Sequence, residues 1–293
     1  MHVTAVLAAA VVVFGVAATL LWTALGSPSP RHDRLAPADQ LELVKIALAT
    51  VAGVGGVVAL VVAYRRQQLL EEGNRRAQAT ELRDNARLFS ERLTAAGTQL
   101  GHDSAAVRLA GIYGFIALAD DATTDSQRQS AISTLCAYLR LPYRAGLGDD
   151  EDTVRRAVLT SMATHLRPGE TRPEGLPTWQ GSAFNLSGAV LARAALAGIV
   201  VRERTYVNLS SCRVDGGTLD LQGVRVLGGT LDLRELTVAD GALLSLRDAN
   251  FESGRLLLDG ARFEQRIDVS GATIAAGFEV SSDGSDVNPS GWR

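Results

Sequence analysis

Few side chains in this sequence are placed to do the chemistry of a hydrolase. His102, Asp103 and Ser104 carry the three residue types of a catalytic triad. Contiguous residues cannot form a triad, because its side chains must converge from separate elements. We interpret the run as a helix N-terminus with an imidazole nearby. His165 lies near a helix end, where partial positive charge is favourable, and Lys45 is the only lysine.

The remaining candidate ligands are spread too thinly to form a metal site. Cys136 and Cys212 are far apart and lack any CxxC or Cys/His spacing, so we predict two buried free thiols in a reducing compartment. Asp220, Asp232 and Asp268 occupy equivalent repeat positions and are expected to stack as an outward acidic ladder. Calcium needs several oxygens that converge on one point. The sequence therefore predicts no catalytic residue, no metal and no cofactor.

The carboxy-terminal third repeats itself about every dozen residues, for example TLDLQGVRVLGG over 218–229 and TLDLRELTVADG over 230–241. Alternating apolar residues have the period of a strand, and the glycine-rich ends are turn signals. The period is too short for a propeller blade or a helical repeat. One unit cannot bury its own apolar side chains, but stacked units can, so the sequence predicts a β-solenoid.

An apolar pair recurs five residues apart within each unit, and these residues are the predicted core. The predicted core residues are Leu186, Leu191, Leu196, Leu209, Val214, Leu221, Val226, Leu233, Val238, Leu246, Phe251, Leu258, Phe263, Val269 and Ile274. After Leu196, steps of five residues alternate with steps of six to eight. Four equal faces per coil and a flatter solenoid with two units per coil are both compatible with this spacing. A small antiparallel barrel or sandwich is the alternative fold.

The stretch Phe184–Leu196 has leucines at 186, 191 and 196, with Ala189 and Ala194 two residues before the last two. This pattern resembles the pentapeptide-repeat family. The resemblance implies a right-handed β-helix of squarish cross-section in which the Leu or Phe of each repeat points inward.

Two uncharged segments open the chain. Val3–Leu25 is long enough to cross a hydrocarbon core of roughly 30 Å, and Ile46–Tyr64 is the second such segment. We predict transmembrane helices over 1–26 and 41–64 with a short external loop over 27–40; a cleaved signal peptide fits poorly, since no basic region precedes the first segment. Arginines follow the second span, which places the bulk of the chain in the cytoplasm of a multi-pass cell-membrane protein.

Residues 65–100 read as a basic juxtamembrane helix or stalk. Its apolar residues alternate spacings of three and four, as in a coiled-coil seam. The seam residues are Ala79, Leu82, Ala86, Phe89, Leu93, Ala96 and Leu100. The seam could join two chains in a homo-oligomer through residues 79–100, or it could be one face of a helix folded back on its own domain.

Three helical patterns follow, over Ser104–Ala119, Ser126–Leu141 and Asp152–Leu166. They predict a small HEAT-like α-helical bundle over 101–170. A linker over 171–183, the pentapeptide-type solenoid over 184–281 and a polar tail over 282–293 complete the predicted domains.

The helical runs Gln99–Tyr113, Leu135–Tyr143 and His165–Pro168 resemble the helical segment of bacterial membrane-anchored pentapeptide-repeat proteins. The predicted fold class is therefore two N-terminal transmembrane helices, a juxtamembrane helix and small bundle, then a right-handed β-helix of degenerate repeats. The resemblance implies this architecture and no particular activity.

Three hypotheses for function follow. The first is a membrane-tethered, non-enzymatic scaffold whose solenoid binds an unknown protein. The second is a DNA mimic that regulates an enzyme such as a topoisomerase. From Phe184 onward, however, the sequence has 14 acidic and 11 basic residues, whereas a surface that resembles DNA phosphates needs a much higher density of negative charge. The third is an enzyme that uses the solenoid as a substrate platform. The overall net charge of -3 argues against nucleic-acid binding.

Overall fold

A computed structural model of the protein describes residues 12, 15–16, 19, 23, 37–143, 149–264 and 267–286. Within these residues, helices come first and short strands follow. The chain divides into two units, residues 1–84 and 85–293. Helix α1, Pro37–Leu100, contributes residues to both units.

Most of the first predicted span, 1–26, and residues 27–36 of the predicted loop lie outside the described residues. No helix in the described part of the chain is both long and apolar enough to cross a membrane. The predicted fold class, with transmembrane helices over 1–26 and 41–64, is therefore contradicted.

Helix α1 does not end where the apolar sequence ends. After Tyr64 it continues through residues rich in Arg, Glu, Gln and Ala, which are good helix formers and supply no stop signal. In the first unit, Leu60, Leu69 and Leu82 are exposed. The boundary predicted at residue 64 is thus a change in composition along one helix.

The last turns of α1 pack within the second unit. Ala96 is buried, and Phe89 and Leu93 are half-buried against the core. A Cβ atom at Gly111 would lie 2.7 Å from the backbone nitrogen of Leu100, so only glycine allows the two helices to approach this closely. Over residues 89–100 the predicted seam is therefore folded back on its own chain. A homo-oligomer through 79–100 stays a prediction.

Three shorter helices form the bundle. They are α2 (Ala105–Asp120), α3 (Asp125–Leu139) and α4 (Asp149–Leu166). Thr124 caps α3, since its hydroxyl accepts a hydrogen bond from the Gln127 backbone N–H at 3.2 Å. The core between the helices is formed by apolar residues spaced at helical intervals. Its members include Ile112, Phe115, Ile132, Leu135, Val158 and Met162.

The strands that follow have two to four residues, except β8 and β11, which have eight, and every described strand pair is parallel. They are β1 (Ala183–Asn185), β2 (Val190–Leu191), β3 (Ala194–Ala195), β4 (Val200–Arg202), β5 (Tyr206–Asn208), β6 (Arg213–Val214), β7 (Gly217–Asp220), β8 (Arg225–Asp232), β9 (Thr237–Val238), β10 (Ala242–Ser245), β11 (Asn250–Leu257), β12 (Arg262–Phe263), β13 (Thr273–Ile274) and β14 (Glu279–Ser281).

The pairing register shows a β-solenoid. Ala183 pairs with Tyr206, Tyr206 with Thr230, Thr230 with Arg255 and Arg255 with Glu279, which are steps of 23, 24, 25 and 24 residues. Each coil therefore contains two of the twelve-residue units, and four turns are stacked, which is consistent with a pentapeptide-repeat β-helix. The antiparallel barrel or sandwich is excluded by the parallel pairing of the described strands.

Each coil nevertheless has more than two faces. One sheet joins β2, β6, β9 and β12, and a second joins β3, β7 and β10. The third is larger, because the long strands β8 and β11 each pair with two separate strands of the neighbouring coil, β8 with β4 and β5. The coil is thus longer than four five-residue steps, which explains the six- to eight-residue intervals in the sequence.

A recurring corner turns the chain between faces. An Asn or Asp at the strand end accepts a hydrogen bond from the backbone N–H two residues on, as at Asn185 and Asp220, an Asx turn. The residue after that N–H has positive φ, for example Gly188 at 73° and Glu235 at 54°. Glycine is favoured there because it has no Cβ. The short motif Asn/Asp-Leu-x-Gly is therefore the corner of the coil.

Candidate interaction surface

The His102-Asp103-Ser104 run lies at the N-terminus of α2 and has no triad geometry. The backbone N–H of Ser104 donates to Nδ1 of His102 at 3.0 Å. Arg108 donates to the carbonyl oxygens of His102 and Asp103 at 3.0 and 2.6 Å. The first bond satisfies a backbone N–H at the start of the helix, where N–H groups lack intrahelical acceptors, and Arg108 holds the two residues that precede the helix. Within the described residues, no group of three His, Cys, Asp or Glu side chains could hold a metal.

A buried polar cluster joins the bundle to the solenoid. Trp179 is fully buried and donates from Nε1 to Oδ1 of Asp120 at 2.8 Å. Nε2 of His165 lies 3.0 Å from the same carboxylate, and Nδ1 lies 2.6 Å from the carbonyl oxygen of Ser161. The His165 and Trp179 rings stack at 3.9 Å. Both imidazole nitrogens face oxygen acceptors, so the cluster holds one ring orientation and fixes Trp179 over the first coil.

Two glutamines close the amino-terminal edge of the solenoid. The Gln129 amide on α3 donates to the Ala183 carbonyl and accepts from the Ala183 N–H, both at 2.8 Å. The Gln180 amide donates to the Val200 carbonyl at 2.6 Å and accepts from the Arg202 N–H at 3.1 Å. Each amide thus replaces the strand that would otherwise satisfy this edge. This end of the solenoid is therefore covered by the chain itself.

A second polar network crosses the bundle without forming a ligand site. The Tyr138 hydroxyl donates to Glu151 at 2.9 Å, and Arg108 donates to the same carboxylate at 3.1 Å. Burial and the Glu151 carboxylate raise the pKa of Tyr138 to about 12. The cleft beside it, lined by Tyr143 and Arg155, encloses only ≈ 10 Å³, room for at most one water molecule. This network stabilises the bundle.

Asp232 is fully buried, which corrects the predicted acidic ladder. Arg234 donates to both of its oxygens, from Nε at 2.9 Å and from Nη2 at 2.6 Å, and the Tyr206 hydroxyl donates at 2.6 Å. Burial alone would raise the pKa of the Asp232 carboxyl, but these hydrogen bonds outweigh it and hold the pKa below its usual value. Asp220 and Asp268 lie on another face, on either side of Ser245.

Both cysteines are free and buried, as predicted. Burial raises the pKa of the Cys136 and Cys212 thiols to about 12. At neutral pH the thiols therefore stay protonated and act as small core residues.

The predicted solenoid core faces inward, but its last members are less well covered. The residues from Leu186 to Leu258 in the predicted set are at most 2% exposed. Phe263, Val269 and Ile274 are only half-buried. Sequence reasoning missed a second inward row, formed by the alternate residues of the strands. This row contains Phe184, Val207, Leu231 and Leu256, with Leu219 and Leu244 on another face.

We call residues 262–286 the terminal turn, of which 262–264 and 267–286 are described. It leaves an apolar layer half-exposed. The partly covered side chains are Phe263, Ile267, Val269, Ile274, Phe278 and Val280. One coil earlier, Phe251 and Leu256 pair with Ile274 and Val280 and are fully buried. The difference arises because the described residues stack no further coil on this end.

The strand edges of the terminal turn also face outward from the stack. β13 and β14 pair with β11 on one side, and β12 pairs with β9. The opposite side of an edge strand presents backbone N–H and C=O groups. Asp286 satisfies one of these backbone groups, because its carboxylate accepts a hydrogen bond from the Phe263 N–H at 3.0 Å.

The charged side chains that the structure describes in the terminal turn are mostly acidic. They are the carboxylates of Glu264, Asp268, Glu279, Asp283 and Asp286 and the guanidinium of Arg262, while Arg266 lies outside the described residues. Glu279 pairs with Arg255 of the preceding coil at 2.9 Å. The terminal turn thus combines half-buried apolar side chains with several carboxylates. The repeat pattern does not predict this surface, because the apolar layer is half-exposed only where no further described coil stacks on it.

The comparisons with known proteins name no family for this chain: no protein family, no curated protein and no solved structure matches it.

Proposed function

We propose that this protein is a non-enzymatic scaffold that binds another protein through the terminal turn of its solenoid. The observation that carries the proposal is the contrast between the two solenoid ends. Trp179, Gln129 and Gln180 cover the first coil, whereas the last described coil exposes part of its apolar layer. A β-solenoid fits a scaffold or interaction module, since stacked coils give a rigid, extended surface.

The terminal turn offers a partner three kinds of favourable contact. Six half-buried apolar side chains would each contribute about 1 kcal/mol on full burial, roughly half the value for a wholly exposed side chain. Open strand edges add hydrogen-bond donors and acceptors, and the carboxylates of the terminal turn favour partners that carry basic groups. Exposed apolar areas rimmed by polar groups commonly mark interaction sites.

Site-specific photo-crosslinking tests the proposal. A photoreactive amino acid is introduced at Ile274 or Val280 of the full chain in cells, and at Arg213 as a control on a side face. We expect one protein to be captured from both terminal-turn positions and not from Arg213. The captured protein is then purified, and V280E should weaken its affinity for the full chain at least about tenfold, through the cost of burying a charge.

Three results would overturn the proposal. Capture at Arg213 as strong as at Val280 would place the binding surface elsewhere. Crosslinks only to other copies of this chain would make the terminal turn an oligomer contact. Crosslinks only to residues 287–293 of the same chain would show that the surface is covered internally.

A further inference from the structure

His165, near the end of α4, is a buried titratable group at the junction of the bundle and the solenoid. Its side chain is only 4% exposed. The imidazole stacks on the Trp179 indole, with 3.9 Å between the ring centroids and 15° between the planes. The backbone carbonyl of His165 also accepts a hydrogen bond from the Trp179 N–H at 3.3 Å. His165 therefore holds Trp179 through both its main chain and its side chain.

Each ring nitrogen of His165 faces an oxygen that can only accept a hydrogen bond. Nδ1 lies 2.6 Å from the Ser161 carbonyl oxygen, and Nε2 lies 3.0 and 3.3 Å from the two carboxylate oxygens of Asp120. A carbonyl and an ionised carboxylate have no proton to donate, and a neutral imidazole has one N–H only. Both contacts are therefore hydrogen bonds only when each ring nitrogen carries a proton.

The Asp120 carboxylate determines which of these two protons leaves first. It also accepts from Nε1 of Trp179 at 2.8 Å, so the imidazole and the indole share one anion. The charged groups of the neighbouring elements have other contacts: Asp121 pairs with Arg92 of α1 at 3.6 Å, Arg128 of α3 donates to the Ala119 carbonyl at 3.3 Å, and Arg167 donates to the Ala197 carbonyl at 3.4 Å. The carboxylate stabilises the proton on Nε2, so a rise in pH removes the proton on Nδ1.

Trp179 connects this histidine to the first coil. The indole stacks on Phe184, a fully buried residue of β1, with 6.5 Å between the ring centroids. The next residue, Gln180, bonds the Val200 carbonyl and the Arg202 N–H at the strand edge. A shift of the imidazole therefore changes the support of both the core and the edge of the first coil.

We propose that His165 is a pH-sensitive switch that controls how firmly the bundle holds the first coil of the solenoid. With a proton on each nitrogen, the ring bonds Ser161 and Asp120 and supports the Trp179 indole. When Nδ1 releases its proton to water, its lone pair faces the Ser161 carbonyl oxygen and the two atoms repel each other. Histidine changes charge between about pH 5 and 8, so the junction is firmer on the acidic side of this range and looser on the alkaline side. The switch lies at the covered end of the solenoid and is independent of the proposed function.

NMR of the full chain with nitrogen-15-labelled histidine tests the protonation state of the ring. Two-bond proton–nitrogen correlations distinguish a ring with two N–H groups from each neutral tautomer. The His165 signal is identified by its contacts with the Trp179 indole protons and by its loss in H165Q. We expect an N–H on both ring nitrogens at about pH 5 and on Nε2 alone at about pH 8.

Amide hydrogen exchange measures the effect on the first coil. The Ala183 and Arg202 N–H groups, which donate to Gln129 and Gln180, report on the junction, and the Leu221 N–H, which donates to the Ser245 carbonyl at 2.9 Å, reports on the middle of the solenoid. After correction for the intrinsic pH dependence of exchange, we expect protection at the junction to fall about tenfold across this pH range, as the loss of one hydrogen bond within an ion pair allows.

Protection of the Leu221 N–H should change little over the same range. H165Q should abolish the pH dependence at the junction. The matched control is H102N, which removes an exposed histidine at the start of α2 and should leave the pH dependence as in the wild type.

Several results would overturn the switch. One is a His165 nitrogen without a proton at about pH 5, and another is an N–H on both nitrogens at about pH 8. Junction protection that stays constant while the ring titrates, or the same pH dependence in H165Q as in the wild type, would show that His165 does not control the junction. If H165Q does not fold, the wild type and H102N still decide, because ring titration and the loss of protection must follow the same pH dependence.

Discussion

Glycine 254 offers the sharpest test of how closely the coils are stacked. It has φ of 103°, and a Cβ atom there would overlap the carbonyl oxygen of Gly229 and lie 3.0 Å from the Gly229 nitrogen. Gly241 also has positive φ, 80°, but a Cβ atom there would meet nothing within 4 Å. The two positions therefore share the conformational cost of an L residue and differ in steric contact.

This difference predicts how much each alanine substitution lowers the free energy of unfolding. G241A should cost about 1–2 kcal/mol, the penalty of placing alanine in the left-handed region. G254A carries the same penalty plus about 1–3 kcal/mol for forcing atoms into a filled space. Because the overlapping atoms are backbone, no side chain can move aside. The total for G254A is about 2–5 kcal/mol.

Urea denaturation of the full chain, followed by circular dichroism, measures both variants. Amide hydrogen exchange shows where each loses protection, and for G254A we expect the loss in β8 and β11 together. If G254A proves as stable as G241A, the backbone at Gly254 does not lie as close to the Gly229 carbonyl oxygen as the structure shows, and the expected steric cost is wrong.

Two further predictions concern the buried carboxylate and the helix contact. R234A should destabilise by about 1–3 kcal/mol, because it removes the charged partner of the buried Asp232 while the Tyr206 hydroxyl and the backbone N–H of residue 234 still donate to the carboxylate. D232N should cost less, since Arg234 is exposed; thermal denaturation ranks the two. The difference between wild type and D232N should shrink as pH falls below about 4, because a lowered pKa gives stability that is lost on protonation; a constant difference would contradict this. G111A should destabilise by about 1–3 kcal/mol through contact with α1, whereas G97A, which meets nothing within 4 Å, should be neutral or stabilising.

Much of the solenoid could be predicted from local sequence. The five-residue pairs such as Leu221 and Val226 identify inward positions, because burial repeats with the coil. The number of units per coil could not be predicted, since Tyr206 and Thr230 pair across 24 residues and no local signal specifies that register. Asp232 was predicted to face outward because its repeat position is polar; its burial depends on Arg234 and Tyr206, which meet it only in the folded coil.

In the helical part, too, some features could be predicted from local sequence and others could not. The patterns over Ser104–Ala119 and Ser126–Leu141 predicted α2 and α3 to within a few residues, because helix periodicity is local. The two membrane spans were predicted from local uncharged segments and the arginines that follow them, but α1 continues through the predicted boundary at Tyr64. The role of Trp179 could not be predicted from a linker sequence, because Asp120, which holds the indole, lies on another helix. The placement of the bulk of the chain in the cytoplasm stays a prediction.

The stacking of coils is tested most directly by engineered disulfides. Arg213 and Thr237 are paired neighbours on adjacent coils, which places their Cα atoms about 4.8 Å apart, within disulfide range. Arg213 and Arg262 are two coils apart, about 9.6 Å by the same spacing and beyond that range. In the full chain, R213C/T237C should form a disulfide under mild oxidation and R213C/R262C should not. Formation in the second variant and not in the first would contradict the account.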